Sequence, residues 1–221
     1  MADSNLEARL PPPSVAPVVR RGKALRERLL GCVGVVLASP VFVGAALAIK
    51  VEGLLDRNAG GPVFFSEDRI ARGRVIRMLK FRILTTAGLT SLGSGPTHIA
   101  HLERAGELTR VGRVLKQWYL DELPQLINIA KGDIGLIGTR PYPVELYLEE
   151  MEQGITRKRD MPAGLIGIVQ SHKGDSADPD GVELDRYYWE LYQHASAVRL
   201  LVEDLRIVAR SLRVQLEHKG I

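Results

Sequence analysis

Cysteine is nearly missing from this chain. Cys32 is the one cysteine among 221 residues, so no disulfide can close within the chain and no zinc site can be built from several thiolates. Aromatic residues are also scarce, at 5%. They form no stacking pattern with Lys and Arg along the chain, which argues against nucleic acid as a partner. No internal repeat is present, and charge is absent from one long internal run. What remains is a chain with 25% charged residues and a formal net charge of +4. That suits an anionic partner such as a lipid surface or a phosphorylated substrate.

Residues 1–19 contain Pro11-Pro12-Pro13 and Pro17 and read as a disordered tail. Arg20, Arg21, Lys23, Arg26 and Arg28 form a basic run. Leu29 to Ile49 then carries no charged side chain, which is long enough for a membrane helix. Ser39-Pro40 interrupts it, because proline removes a helical hydrogen bond and leaves a carbonyl needing a partner. Basic residues flank both ends. A re-entrant helix hairpin with both ends in the cytoplasm fits this pattern best, against a bitopic helix or a buried soluble one. Residues 20–57 are therefore read as the anchor and residues 58–221 as a cytoplasmic domain.

Val63-Phe64-Phe65 reads as a strand, and Met78 to Leu84 as its return. Arg72-Gly73 falls near the tip of the resulting hairpin, expected close to lipid headgroups. Thr85 to Thr97 reads as a mobile loop, and Ile134 to Ile137, after Asp133, as a short strand. Val144 to Met151 is expected to be helical, and Pro162 to Gln170 a strand. Lys173 to Gly181 reads as a loop. A final helix is expected from near Val182. Its Val198, Leu201, Val202, Leu205, Val208, Ala209 and Leu212 recur at helical spacing, beside Arg199, Arg206, Arg210 and Arg213. Such a helix suits a membrane interface or a core equally.

The stretch Leu120-Asp121-Glu122-Leu123-Pro124-Gln125 carries two adjacent acids ahead of an apolar run. Locally it reads as a helix start, with Asp121 as N-cap and Gly132 as the stop. A capped core helix is the plain structural reading.

From about Arg20 to Leu212 the order of pieces resembles the bacterial sugar transferase family, the monotopic polyprenyl-phosphate phosphoglycosyl transferases. The pieces are the helix broken at Ser39-Pro40, Gly61-Pro62-Val63-Phe64-Phe65, Arg69, Lys80-Phe81-Arg82 and Thr109-Arg110-Val111-Gly112-Arg113. The stretch from Leu120 to Asp133 follows, then Arg140-Pro141 and Glu183-Leu184-Asp185 with Tyr187-Tyr188. Each is weak alone, but their order is specific. Departures are Glu27 in the anchor, Glu67 and Ala71 in the hairpin, Tyr119 before the acids, Thr139 in place of a proline, and Gly164 to Gln170.

The resemblance implies transfer of a sugar-1-phosphate from a nucleoside-diphosphate sugar, usually a UDP-sugar, to polyprenyl (undecaprenyl) phosphate with Mg²⁺. This is a step that initiates exopolysaccharide or another surface glycan. It implies Asp121 as nucleophile, forming an aspartyl-phosphosugar intermediate, and Glu122 in metal or acid–base work. Lys80, Arg82, Arg110, Arg140 and Pro141 are then candidates for the phosphate site, and Asp121 and Asp185 for the metal. A catalytically inactive, membrane-anchored scaffold of the same fold is the alternative. The expected fold is mixed α/β (α+β), mostly helical, with a small hairpin, the re-entrant anchor and amphipathic interfacial helices. The expected location is the cytoplasmic face of the bacterial inner membrane, bound monotopically. Membrane lipid is a partner and nucleic acid is not. The sequence is compatible with a homodimer.

Overall fold

The computed structural model describes residues 20–93, 106–154, 157–172 and 181–217. The expected tail, residues 94–97 of the expected loop, and residues 173–180 lie outside them. One helix, α1 (Arg21–Leu55), opens the structure. At 1.5 Å per residue it is about 52 Å long. Its most apolar 18-residue stretch has a mean hydropathy of 2.4, and 11% of that stretch is buried. So much outward-facing apolar surface is unfavourable in water. The helix is long and apolar enough to cross a membrane.

The expected break at Ser39-Pro40 does not end the element, which runs on as helix. Pro40 has no N–H for the Val36 carbonyl, and the Ser39 hydroxyl donates to that carbonyl at 2.7 Å. The side chain thus satisfies the group that the proline orphans.

The hairpin forms as expected. Strands β1 (Phe64–Ala71) and β2 (Arg74–Phe81) meet at Arg72 and Gly73, with φ of 52° and 66°. Two residues at positive φ give the turn whose twist matches the flanking strands. The tip is also tied to the rest of the first unit. Arg72 donates to the Tyr192 hydroxyl at 2.8 Å and lies over that ring, 5.6 Å from its centroid.

Helix α2 (Thr86–Gly93) replaces the first part of the expected loop. Helices α3 (Arg110–Gln117) and α4 (Gln125–Lys131) follow, then β3 (Gly135–Ile137) and β4 (Tyr142–Pro143). Next come α5 (Val144–Glu152), α6 (Arg157–Asp160) and β5 (Gly164–Ile166). Strand β4 pairs antiparallel with β1, Arg69 facing Pro143, and β3 pairs in parallel with β5. The expected strand to Gln170 stops at Ile166, where α7 (Ile168–Ser171) begins. The expected last helix is two, α8 (Val182–His194) and α9 (Ala197–Glu217).

Two compact units divide the chain. Of the described residues, 20–31, 68–77, 128–154, 157–172 and 181–217 form the first, and 32–67, 78–93 and 106–127 the second. Neither coincides with the linear division into 20–57 and 58–221.

In the first unit Ile137, Ile168, Tyr188, Leu191, Leu200 and Ile207 pack into a core. The foot of α1 is tied into it through buried charge. Lys23 Nζ lies 2.7 Å from both Glu27 Oε1 and Asp204 Oδ2. Tyr188 donates to the other Asp204 oxygen at 2.8 Å. Leu200, Asp204 and Ile207 of α9 are buried, whereas Val198, Val202, Leu205 and Leu212 point outward. The apolar spacing therefore marks an outer stripe as well as an inner one.

In the second unit Ala45 and Ile49 of α1 join Phe81, Ile83, Leu84 and Leu115 in a core. The Phe42 ring meets that of Phe81 edge-on, 5.3 Å between centroids.

Candidate active site

Asp121 lies in the second unit, and its local setting differs from the expected cap. A 3₁₀ turn, Leu120–Glu122, holds it inside, and α4 starts only after Pro124. Proline at that point supplies no N–H, so the helix begins at the next residue. The chain enters the turn through Tyr119, which has a φ of 56°. A tyrosine there carries a strain of about 1–2 kcal/mol, of the kind stored at functional sites. Gly132, at φ 83°, stops α4 as expected, its N–H donating to the Asn128 carbonyl at 3.0 Å.

The Asp121 carboxylate is 1% exposed. Neither oxygen has a hydrogen-bond partner among the described residues. Burial pushes its pKa above the ordinary carboxylate value, Lys116 and Lys80 pull it down, and Glu122 pushes it up. A buried carboxylate is ordinarily hydrogen-bonded or paired, and one with idle oxygens is arranged to receive something. Those oxygens suit a hard cation or an electrophilic phosphorus.

Lys80 joins the acidic dyad of Asp121 and Glu122. Its Nζ lies 3.7 Å from Glu122 Oε1 and 3.3 Å from Glu67 Oε2. The sequence singled out Lys80 but not Lys116, the cation with the larger effect on Asp121. Lys116 is one turn of chain upstream on α3, and its position was the only available signal.

Arg82 is turned inward. It is 2% exposed. Its guanidinium donates to the carbonyls of Pro62 at 2.8 Å, Leu84 at 3.0 Å and Ala59. The fork is spent holding a turn and a strand end together. The Arg110 side chain is exposed. The backbone N–H groups of Arg110 and Val111 donate to the Glu52 carboxylate at 2.6 and 3.0 Å. Glu52 thus caps α3 from the far end of α1, beside the Thr109 hydroxyl that accepts from Gly112. No local pattern announces this, because 58 residues separate Glu52 from Arg110.

Arg140, Pro141 and Asp185 belong to the first unit. Arg140 is exposed and Pro141 buried. Thr139, where the family resemblance expects proline, donates its N–H to the Pro162 carbonyl at 2.8 Å. A proline could not make that bond. One oxygen of Asp185 is held by Lys158 Nζ at 2.6 Å, in a buried ion pair. That pairing occupies Oδ2, and Oδ1 is buried as well. Asn128 and Asp133, from the same motif as the dyad, are structural. Asn128 Nδ2 donates to the Arg77 carbonyl at 2.7 Å and to Asp133 at 2.9 Å. Ser39 and Pro40 lie in α1 as described above.

Among the described residues no three His, Cys, Asp or Glu side chains converge on a point. Magnesium needs fewer, since it is commonly held by one or two carboxylates with water and substrate phosphates. The idle oxygens of Asp121 and the neighbouring Glu122 fit that donor set.

Residues 18–216 match the family described as bacterial sugar transferase. The chain is 29% identical over 216 residues to a UDP-N-acetylgalactosamine-undecaprenyl-phosphate N-acetylgalactosaminephosphotransferase of Aeromonas hydrophila, covering 93% of this chain and 47% of that protein. It is 31% identical over 189 residues to the galactosyl transferase CpsE of Streptococcus agalactiae, covering 76% and 40%. It is 32% identical over 204 residues to a UDP-glucose:undecaprenyl-phosphate glucose-1-phosphate transferase of Caulobacter vibrioides, covering 89% and 72%. The chain thus spans less than half the length of the first two.

Proposed function

Because this chain belongs to the bacterial sugar transferase family, we propose that it transfers a sugar-1-phosphate from a UDP-sugar to polyprenyl phosphate at a membrane surface. The observation that carries the reading is the Asp121 carboxylate, buried, without hydrogen-bond partners, and held in the field of two lysines.

In the proposed reaction an Asp121 oxygen attacks the sugar-bearing phosphorus. The bond from that phosphorus to the bridging oxygen breaks, and uridine monophosphate leaves. An oxygen of the lipid phosphate then attacks the same phosphorus and expels the Asp121 carboxylate. Splitting one displacement between two anions into two steps is the usual gain from a covalent nucleophile. Lys80 and Lys116 oppose the negative charge that gathers there. Glu122 fixes Lys80 and, with Asp121, would hold Mg²⁺. When bound, Mg²⁺ supplies charge neutralisation to the diphosphate. The deep placement of Asp121 limits attack by water on its phosphorylated form.

The family is membrane-associated and α1 is the candidate anchor. The finer placement we propose is the cytoplasmic face of the inner membrane, with α1 re-entrant near Pro40. The outward stripe of α9, with Arg199, Arg206, Arg210 and Arg213 exposed beside it, suits an anionic interface. Tags at both termini should be reachable from the cytoplasm only, and a tag reached from outside would show a spanning helix.

The sugars named for the three relatives differ, so the donor is to be found by assay. The purified full chain is offered a panel of UDP-sugars with Mg²⁺ and polyprenyl phosphate. Uridine monophosphate should appear with one or a few donors and only when the lipid phosphate permits turnover. No release with any donor would favour an inactive scaffold, and steady release without acceptor a hydrolase.

A further inference from the structure

A cleft of about 260 Å³ opens in the first unit, between the foot of α1, the hairpin tip and the backbone of residues 132–137. It contains none of Asp121, Glu122, Lys80 or Lys116. At roughly 30 Å³ per water it has room for a phosphate and its ester-linked glycerol.

Its charges can be taken one at a time. Lys23 and Glu27 neutralise each other at 2.7 Å, and Lys23 is further held by Asp204. Asp133 accepts from Asn128 at 2.9 Å. Arg72 uses one nitrogen on the Tyr192 hydroxyl, and a guanidinium has five N–H groups. Arg28 is exposed, and its guanidinium lies against Gly132, so closely that a Cβ there would collide with it. With Lys23 and Glu27 set against each other, Arg28 and Arg72 outnumber Asp133 and leave the cleft lining positive. Their fork geometry matches phosphate oxygens.

The neighbouring surface of α1 narrows the ligand class. Leu25, Leu29 and Leu30 are 61%, 58% and 48% exposed. Arg28 is the last charged residue before the uncharged run from Leu29 to Ile49. A cation at the edge of such a run lies at headgroup depth, whether the run spans or re-enters the bilayer.

We propose that this cleft binds the phosphodiester headgroup of an anionic membrane lipid, gripped by Arg28 and Arg72, with its acyl chains along Leu25 and Leu29. The site would fix the foot of α1 to its lipid. Because it uses no residue of the dyad, it stands whether or not the transferase reading does.

The test titrates purified full chain in neutral detergent with dihexanoylphosphatidylglycerol, dihexanoylphosphatidylcholine and inorganic phosphate. Phosphatidylglycerol should bind in preference to the other two, and the Arg28→Gln/Arg72→Gln variant should weaken it about tenfold or more. Arg28→Gln alone, at an exposed position, should give several-fold weakening with unchanged thermal melting. Arg57→Gln, an exposed arginine outside the cleft, should bind as the parent does. Equal binding of phosphatidylcholine, or no effect of Arg28→Gln, would overturn the proposal. Inorganic phosphate binding as tightly, with the same arginine dependence, would show a free-phosphate site instead and overturn the lipid assignment.

Discussion

Replacing Arg82 separates its structural role from a substrate role. Its guanidinium donates to three carbonyls inside the second unit and is 2% exposed. Arg82→Met keeps much of the side-chain volume and removes every donor. A hydrogen bond from a charged donor contributes about 1.5 kcal/mol at the low end, so three lost bonds cost about 4–5 kcal/mol. In a chain of this size that lowers the melting temperature by roughly 10–15 °C. Arg82→Lys keeps the charge but not the fork and should recover about a third of the loss. The assay is thermal melting of the full chain in detergent, read beside KM for the donor at a temperature where the variant is folded. At that temperature the variant should keep its KM within about twofold. An Arg82→Met protein that melts within about 2 °C of the parent but shows a tenfold higher KM would refute this reasoning and make Arg82 a phosphate ligand.

Three other outcomes follow from the same structure. Asp185→Asn breaks a buried pair with Lys158 and should cost about 3–5 kcal/mol; unchanged melting with an altered Mg²⁺ requirement would instead make Asp185 a metal ligand. Glu52→Ala uncaps α3 and should cost about 1–2 kcal/mol, with Glu52→Gln intermediate, both read by thermal melting. Burial raises the Asp121 pKa in the folded protein, so the native state holds this proton more tightly than the unfolded one. The stability linked to it is full below the unfolded carboxyl value and is lost as pH rises through the folded one. Asp121→Asn should therefore melt higher than the parent at neutral pH and lose that advantage in acid; an equal gap at all pH values would contradict the burial argument.

Local chemistry was legible where neighbours in sequence decide the structure. Arg72-Gly73 announced the hairpin turn because two residues at positive φ suffice to make one. Gly132 announced the end of α4, and Ser39 the partner for the carbonyl freed by Pro40. The Asp121–Glu122 pair was singled out through motif order. Long-range partners were hidden. Arg82 sits in a basic strand that reads like a phosphate contact, and only the fold turns it onto three carbonyls. Asp185 reads as a free acid until Lys158 meets it. The cap expected at Asp121 failed because Tyr119 enters a left-handed turn, which favours glycine and which nothing local requires of a tyrosine. Along α9 the apolar spacing could not tell an inner face from an outer one, since both Ile207 and Leu205 follow it.

The most direct test of the proposed chemistry is the mass of the protein after incubation with its UDP-sugar donor in the absence of polyprenyl phosphate. The parent chain should gain one sugar-phosphate, localised by fragmentation to Asp121 and discharged on adding the lipid phosphate. Asp121→Asn should stay folded, gain nothing and transfer nothing. An adduct on another residue, or an Asp121→Asn protein that transfers at near the parent rate, would contradict the assignment of Asp121 as nucleophile.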